Sequence, residues 1–179
     1  MSAAAWIVLL VAVSRLAELA WSSHNARRLM ARGGVEVGAD HYQYFVLLHL
    51  AWLAVVLFVT PPEQTPIWPL VAVLVMLQLA RLWTIASLGP YWTTKVMVVP
   101  HQPIIREGPY RHLRHPAYLI VSLEIAVLPL IFAELRIAVV FTLANAALMA
   151  WRIKVEESVP PLAREPARLC REDAPQALS

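Results

Sequence analysis

Charge is scarce in this sequence. Only 15% of its 179 residues are Asp, Glu, Lys or Arg, while 59% are apolar and the mean hydropathy is +0.59. A soluble domain carries about 25% charged residues. So little polar side chain cannot cover a water-facing surface, which excludes an ordinary soluble enzyme and points to an integral membrane protein of one domain. Cysteine is scarcer still. The single Cys170 lies in the polar C-terminal stretch, so an internal disulfide is excluded, and no Cys pair at metal spacing exists. Internal repeats and low-complexity runs are absent. The first apolar stretch lacks a basic leader and carries Arg15 and Glu18, so it reads as a retained span and not as a cleaved signal peptide.

Apolar sequence fills five stretches, at residues 3–20, 44–60, 67–88, 117–132 and 137–153. A helical span takes about 20 residues. The third stretch is ample, the first, second and fifth are adequate, and the fourth is short unless it borrows Pro116, which suits a first helical turn. The expected fold is an all-α integral membrane protein of about five transmembrane helices. The last two form a tight hairpin joined only by "AELR". Cations are nearly missing from two of the connections. Twelve of the 15 Lys and Arg fall after the first and third spans or from the end of the fifth, Arg152, onward, against Arg136 alone after the second and fourth. Positive-inside bias then predicts an outside N-terminus and a cytoplasmic C-terminus, which matches five spans. Residues 1–157 read as one membrane-embedded domain, and the Pro-rich residues 158–179 as an irregular cytoplasmic tail.

A few ionisable residues interrupt the spans. Arg15, Glu18, Ser22 and Asn25 fall at steps of three and four, so they form one helical stripe. His49, Arg81 and Glu124 lie in the predicted cytoplasmic half with them, Glu124 about 12 Å beyond Pro116 at about 1.5 Å per residue. A charge in hydrocarbon costs about 2.5–3.5 kcal/mol on insertion scales, so each must face a partner or a wet cavity. Glu124 therefore has two readings. It pairs with Arg15 or Arg81 across helices, or it stands in an acceptor pocket and takes or orients a hydroxyl proton.

The densest polar cluster is "GPYRHLRHPAYLI", residues 108–120, where Arg111, His112, Arg114 and His115 crowd between Tyr110 and Tyr118. A second closes the fifth span in "RIKVEE", where Arg152 and Glu156 are four apart and share a helical face. Taken singly, these are an anchor for anionic headgroups and a surface ion pair. The hairpin brings the His-Pro helix start and the Arg-x-x-x-Glu helix end to the same membrane face, which favours one joint site.

"GPYRHLRHPAY", followed by a helical hairpin and then "RIKVEE", resembles the isoprenylcysteine carboxyl methyltransferase family, which includes related phospholipid methyltransferases. The resemblance covers residues from about 88 to 157. It implies S-adenosyl-L-methionine as methyl donor, a multi-helix membrane fold and a site at the cytoplasmic face. It implies donor-binding roles for Tyr110, His115, Pro116, Tyr118 and Glu156, with Gln102, Ile104 and Ile105 beside them, and it places Arg152 near the acceptor. The side-chain chemistry agrees. His115 and Tyr118 supply stacking and hydrogen bonds, the free N–H groups of a helix start favour the donor's carboxylate, and Glu156 suits its ammonium or ribose. Arg152 holds an acceptor oxygen as an anion. The family's usual aromatic tail is missing after Glu157, which leaves the donor lid either incomplete or built from the loop near residues 91–95.

"RLAELAWSSHNARRLMARGGVEVGADHYQYFVLLH" in the N-terminal half and "YLIVSLEIAVLPL" further on resemble a bacterial branch whose members often accompany type III polyketide synthases and O-methylate alkylpyrones or alkylresorcinols. The expectation is thus an O-methyltransferase of the bacterial inner membrane, with Arg152 and Glu124 as catalytic residues and a lipophilic acceptor held in the bilayer. Prenylcysteine carboxyl or phospholipid methylation stands as the alternative. A non-enzymatic lipid- or cofactor-binding subunit is a third reading. Its haem version needs two histidines facing each other at membrane depth, where only His49 lies. Neither a metal site nor a nucleic-acid partner is expected.

Overall fold

The computed structural model describes residues 2–37, 39–99, 105 and 107–157. Among the described residues five α-helices follow one another: α1 (Ala3–Met30), α2 (Ala39–Val59), α3 (Trp68–Leu88), α4 (Pro116–Leu130) and α5 (Leu135–Glu157). Four of them, α1, α2, α3 and α5, are long and apolar enough to cross a membrane. The fourth apolar stretch gives the short helix its length implied. With 15 residues, α4 reaches about 22 Å at ~1.5 Å per residue, against a hydrocarbon core of ~30 Å.

That short helix is the centre of the molecule. It packs between α3 and α5. Its Val121, Ile125 and Leu128 are buried with Val8 and Val11 of α1, Trp52 and Val56 of α2, and Leu74 of α3. The large side chains on the outer faces, such as Leu10, Leu16, Phe58, Trp68, Met76 and Leu143, are exposed, Phe58 by 84%. An apolar belt of that size around a bundle is a surface for lipid. The α4–α5 turn closes with Ala133 at φ 62° and with the Glu134 N–H donating to the Pro129 carbonyl, 3.1 Å. The Ile67 N–H donates to the Ile131 carbonyl, 2.8 Å, which ties the start of α3 to the same turn.

Two differences from the expected architecture bear on the site. First, α1 continues to Met30, well past its apolar stretch, because Ser22, Asn25, Ala26 and Leu29 are buried there. Arg27 and Arg28 in its last turn complement the helix dipole. Second, the all-α expectation missed one small sheet. Strands β1 (Val35–Val37) and β2 (Val96–Val98) pair antiparallel, with Val35 opposite Val98. Valine favours this extended pairing, yet three residues are too few to display a period, and the partner strand lies far away in sequence. Lys95 and Glu36 reinforce the pair with an ion contact of 2.8 Å.

Candidate active site

Pro116 opens α4. A proline at the first helical position has a preset φ and forces the preceding residue out of the helical region. His115 accordingly sits at φ −132°, ψ 61°, and its side chain does not cap the helix. Its ring stacks on Tyr118 instead, with centroids 5.0 Å apart and planes within 1°. The Tyr118 hydroxyl donates to Glu156 Oε2, 2.9 Å, and accepts from Arg152 Nε, 2.9 Å. Arg152 also donates from Nη2 to the Thr94 carbonyl, 2.7 Å. Its guanidinium carbon lies 5.4 Å from the ring centres of both Phe45 and Tyr118. The helix start and the helix end named in the sequence thus share one hydrogen-bonded wall.

That wall faces a cavity of about 250 Å³. Tyr110, Arg114, His115, Ala117 and Tyr118 line one side, and Arg152 and Glu156 another. The remaining lining comes from Leu88, from the 91–95 loop through Tyr91, Trp92, Thr93 and Lys95, and from Val96 and Met97 of β2. The chemistry of this set fits the three parts of a nucleoside–amino-acid sulfonium. The rings of Tyr91, Trp92 and His115 suit a purine. Glu156 suits an ammonium or ribose hydroxyls, and Arg114 with the first turn of α4 suits a carboxylate. Burial, with the charges of Tyr118 and Glu156 acting in the same direction, pushes the Tyr110 hydroxyl up to about 12, so it stays a protonated donor at neutral pH.

Comparison with known proteins agrees with this arrangement. The model of the isoprenylcysteine carboxyl methyltransferase (ICMT) family matches residues 70–159, half of the chain, a span that contains every one of the wall residues on α4 and α5. The chain belongs to the isoprenylcysteine carboxyl methyltransferase family. It is therefore a membrane methyltransferase, of a family whose enzymes use S-adenosyl-L-methionine. It is 33% identical over 157 residues to the uncharacterized protein YpbQ of Bacillus subtilis (strain 168), covering 85% of this chain and 94% of that relative. No solved structure matches. The non-enzymatic reading has no support in a methyltransferase family, and His49 is occupied by a bond of 2.8 Å between Nδ1 and the Phe45 carbonyl.

Of the residues singled out in this methyltransferase sequence, Tyr110, His115, Tyr118, Arg152 and Glu156 surround one cavity. Pro116 is fully buried and acts by starting α4. Ile105 is half-buried and does not line the cavity. Gln102 and Ile104 lie outside the described residues. Glu124 stands elsewhere. It is 1% exposed, is absent from the cavity wall, and accepts from Arg15 Nη2 at 2.7 Å and Arg81 Nη1 at 3.0 Å, both on Oε2. Glu18 bridges the same two arginines, 2.8 Å from Arg15 Nη1 and 2.6 Å from Arg81 Nε. The interhelical pairing read for Glu124 is the one this geometry forms, and it joins α1, α3 and α4.

Sequence reasoning missed Leu88, Val96, Met97, Arg114 and Ala117 as lining residues. Arg114 and Ala117 flank the His-Pro pair, so proximity to the motif was their available signal. Trp92 lies inside the loop taken as the candidate lid, and that loop does line the cavity.

Proposed function

We propose that this membrane methyltransferase carries a methyl group from S-adenosyl-L-methionine to an anionic oxygen of a lipophilic acceptor, with the donor in the cavity and the acceptor at Arg152. When bound, the donor supplies a methyl group on a positively charged sulfur that leaves as a neutral thioether. The observation that carries this reading is the Tyr118 hydroxyl, which bridges Glu156 and Arg152 and so joins a group suited to the donor to one suited to the acceptor. Glu156, Tyr110 and the stacked His115 and Tyr118 orient the donor. Arg152 holds the acceptor oxygen in line with the methyl. Orientation of two reactants in a water-excluded site supplies most of the rate in such a displacement.

The acceptor is one that arrives already ionised. Glu124 is committed to Arg15 and Arg81, so it does not supply the base that a phenol needs. A resorcinol, with a hydroxyl of pKa about 10 like that of tyrosine, is mostly protonated at neutral pH. A prenylcysteine carboxylate, the class in the family's name, and the acidic enol of an alkylpyrone made by a type III polyketide synthase both suit Arg152. Twelve of 15 cations grouped on one side favour a site on the cytoplasmic face of a bacterial inner membrane, with the N-terminus outside.

The test supplies membranes, with and without the gene, with a donor carrying a deuterated methyl group, and analyses the lipid extract by mass spectrometry. Separate arms add N-acetyl-S-farnesylcysteine, an alkylpyrone and an alkylresorcinol. Labelled methyl ester or enol ether that depends on the gene supports the proposal. Label found only on phospholipid nitrogen, or on no lipid at all, overturns it.

A further inference from the structure

Thr94 does not line the cavity and belongs to no motif, yet it is held from two helices and grips a third. Its N–H donates to Ser22 Oγ, 2.8 Å, and its hydroxyl is bonded to Ser22 Oγ at 2.8 Å and to the Tyr42 hydroxyl at 3.0 Å. Ser22 is on α1 and Tyr42 on α2. The carbonyl of the same residue accepts from Arg152 Nη2 on α5, 2.7 Å.

We propose that Thr94, clamped by Ser22 and Tyr42, is a positioning residue that aims the Arg152 guanidinium at the acceptor; this rests on the methyl-transfer reading above. A guanidinium is planar and offers five N–H groups in a fixed fork. Arg152 spends one on Tyr118 through Nε and one on Thr94 through Nη2. Two bonds on different nitrogens fix the group within its plane, and the Phe45 and Tyr118 rings, each 5.4 Å away, fix the tilt of that plane. Among the described residues Nη1 carries no bond, and it is the nitrogen left for an acceptor oxygen.

A loop carbonyl aims a side chain only if the loop itself is held, since connecting segments are the mobile parts of a fold. Here the clamp comes from the polar stripe of α1. Ser22 is 2% exposed and Asn25 1%. Asn25 Nδ2 donates to the Trp92 carbonyl, 2.8 Å, and the Gly89 carbonyl, 3.2 Å. The division of labour separates two effects. Asn25 holds the Gly89–Trp92 end of the loop, where the Tyr91 and Trp92 rings wall the donor cavity, while Ser22 and Tyr42 hold the residue that touches Arg152. Loss of the Thr94 hydroxyl therefore disturbs the acceptor side and spares the donor side.

The experiment compares wild type, Thr94→Val and Thr94→Ser as full-length protein in detergent. Valine keeps the shape and the carbonyl and deletes the hydroxyl; serine restores it. Two quantities are read: S-adenosylhomocysteine affinity, and the initial rate of radiolabelled methyl transfer from saturating donor to the lipid extract of the expressing membranes. Thr94→Val is expected to lose about tenfold or more in rate, since misplacement of a positioned group by ~1 Å costs on the order of 100-fold. Its S-adenosylhomocysteine affinity stays at the wild-type value, and Thr94→Ser regains the rate. A wild-type rate in Thr94→Val, a loss of donor affinity in step with the rate, or a serine variant as impaired as valine each overturns the proposal. If Thr94→Val shows no cooperative melt, Tyr42→Phe, which removes one bond from the same hydroxyl, takes its place with the same expected split. No labelling by wild type overturns methyl transfer itself, whereas a fully active Thr94→Val overturns only the positioning role.

Discussion

Glu124→Gln separates a structural carboxylate from a chemical one. The four charges of Arg15, Glu18, Arg81 and Glu124 cancel, and Glu124 Oε2 takes one guanidinium N–H from each arginine. Glutamine can keep its carbonyl oxygen at that point. Its amide nitrogen then falls at Oε1, which is buried without a hydrogen-bond partner among the described residues. An unsatisfied buried polar group costs about 1–3 kcal/mol. The lost charge costs more, because two guanidiniums are left with one carboxylate, and removing one partner of a buried pair costs about 3–5 kcal/mol. The retained hydrogen bonds and the remaining Glu18 place the total near the lower end, at about 3 kcal/mol. At ~2–4 °C per kcal/mol for a chain of this size, Tm falls by about 6–12 °C. Tryptophan-fluorescence melting in detergent reads the shift, and S-adenosylhomocysteine titration below the transition reads the donor site. The expected result is a lower Tm with unchanged donor affinity and turnover per folded molecule. An unchanged Tm with selective loss of turnover on a hydroxylated ring would return Glu124 to the chemistry and refute the structural reading.

Further substitutions probe the site from other sides. Gly108 lies at φ 54°, and a Cβ there would overlap the Ser87 hydroxyl and come within 3.2 Å of Trp83 Nε1. Gly108→Ala should cost about 1–3 kcal/mol in a melt and also weaken S-adenosylhomocysteine binding, because the turn that carries Tyr110 must shift. Arg152→Lys replaces a fork by a point charge that cannot serve Tyr118, Thr94 and an acceptor together, so turnover should fall about 100-fold with donor affinity retained. Tyr110 titrates near 12 in the folded protein instead of 10.0, so the folded state holds its proton more tightly. The stability this contributes is fully present below pH 10 and is lost as pH rises towards 12. The phenolate difference spectrum between wild type and Tyr110→Phe should show that late midpoint; a midpoint at 10 would remove the burial argument.

The sequence shows its chemistry where side chains carry it and hides it where the backbone does. "RHPAY" and "RIKVEE" were legible because proline fixes a helix start, and because Arg and Glu four apart share a face. The hairpin then had to bring them together. The stripe Arg15, Glu18, Ser22, Asn25 was legible as a face, but its partners were not. Whether Glu124 met arginines or an acceptor depended on how α1, α3 and α4 lie against each other, which no local pattern encodes. The 91–95 loop contributes through carbonyls and a threonine hydroxyl, and any residue has a carbonyl. The strand pair joins Val35 to Val98 across α2 and α3, so neither strand announces itself alone.

The central claim is that the cavity between the 91–95 loop, the start of α4 and the end of α5 holds the methyl donor. Titration of S-adenosylhomocysteine into the purified full-length protein, with wild type beside Glu156→Ala and Glu124→Gln, tests it most directly. One molecule bound per chain in wild type, binding lost in Glu156→Ala and binding retained in folded Glu124→Gln is the predicted result. Binding that survives in Glu156→Ala at wild-type affinity, or no binding to wild type, would contradict it.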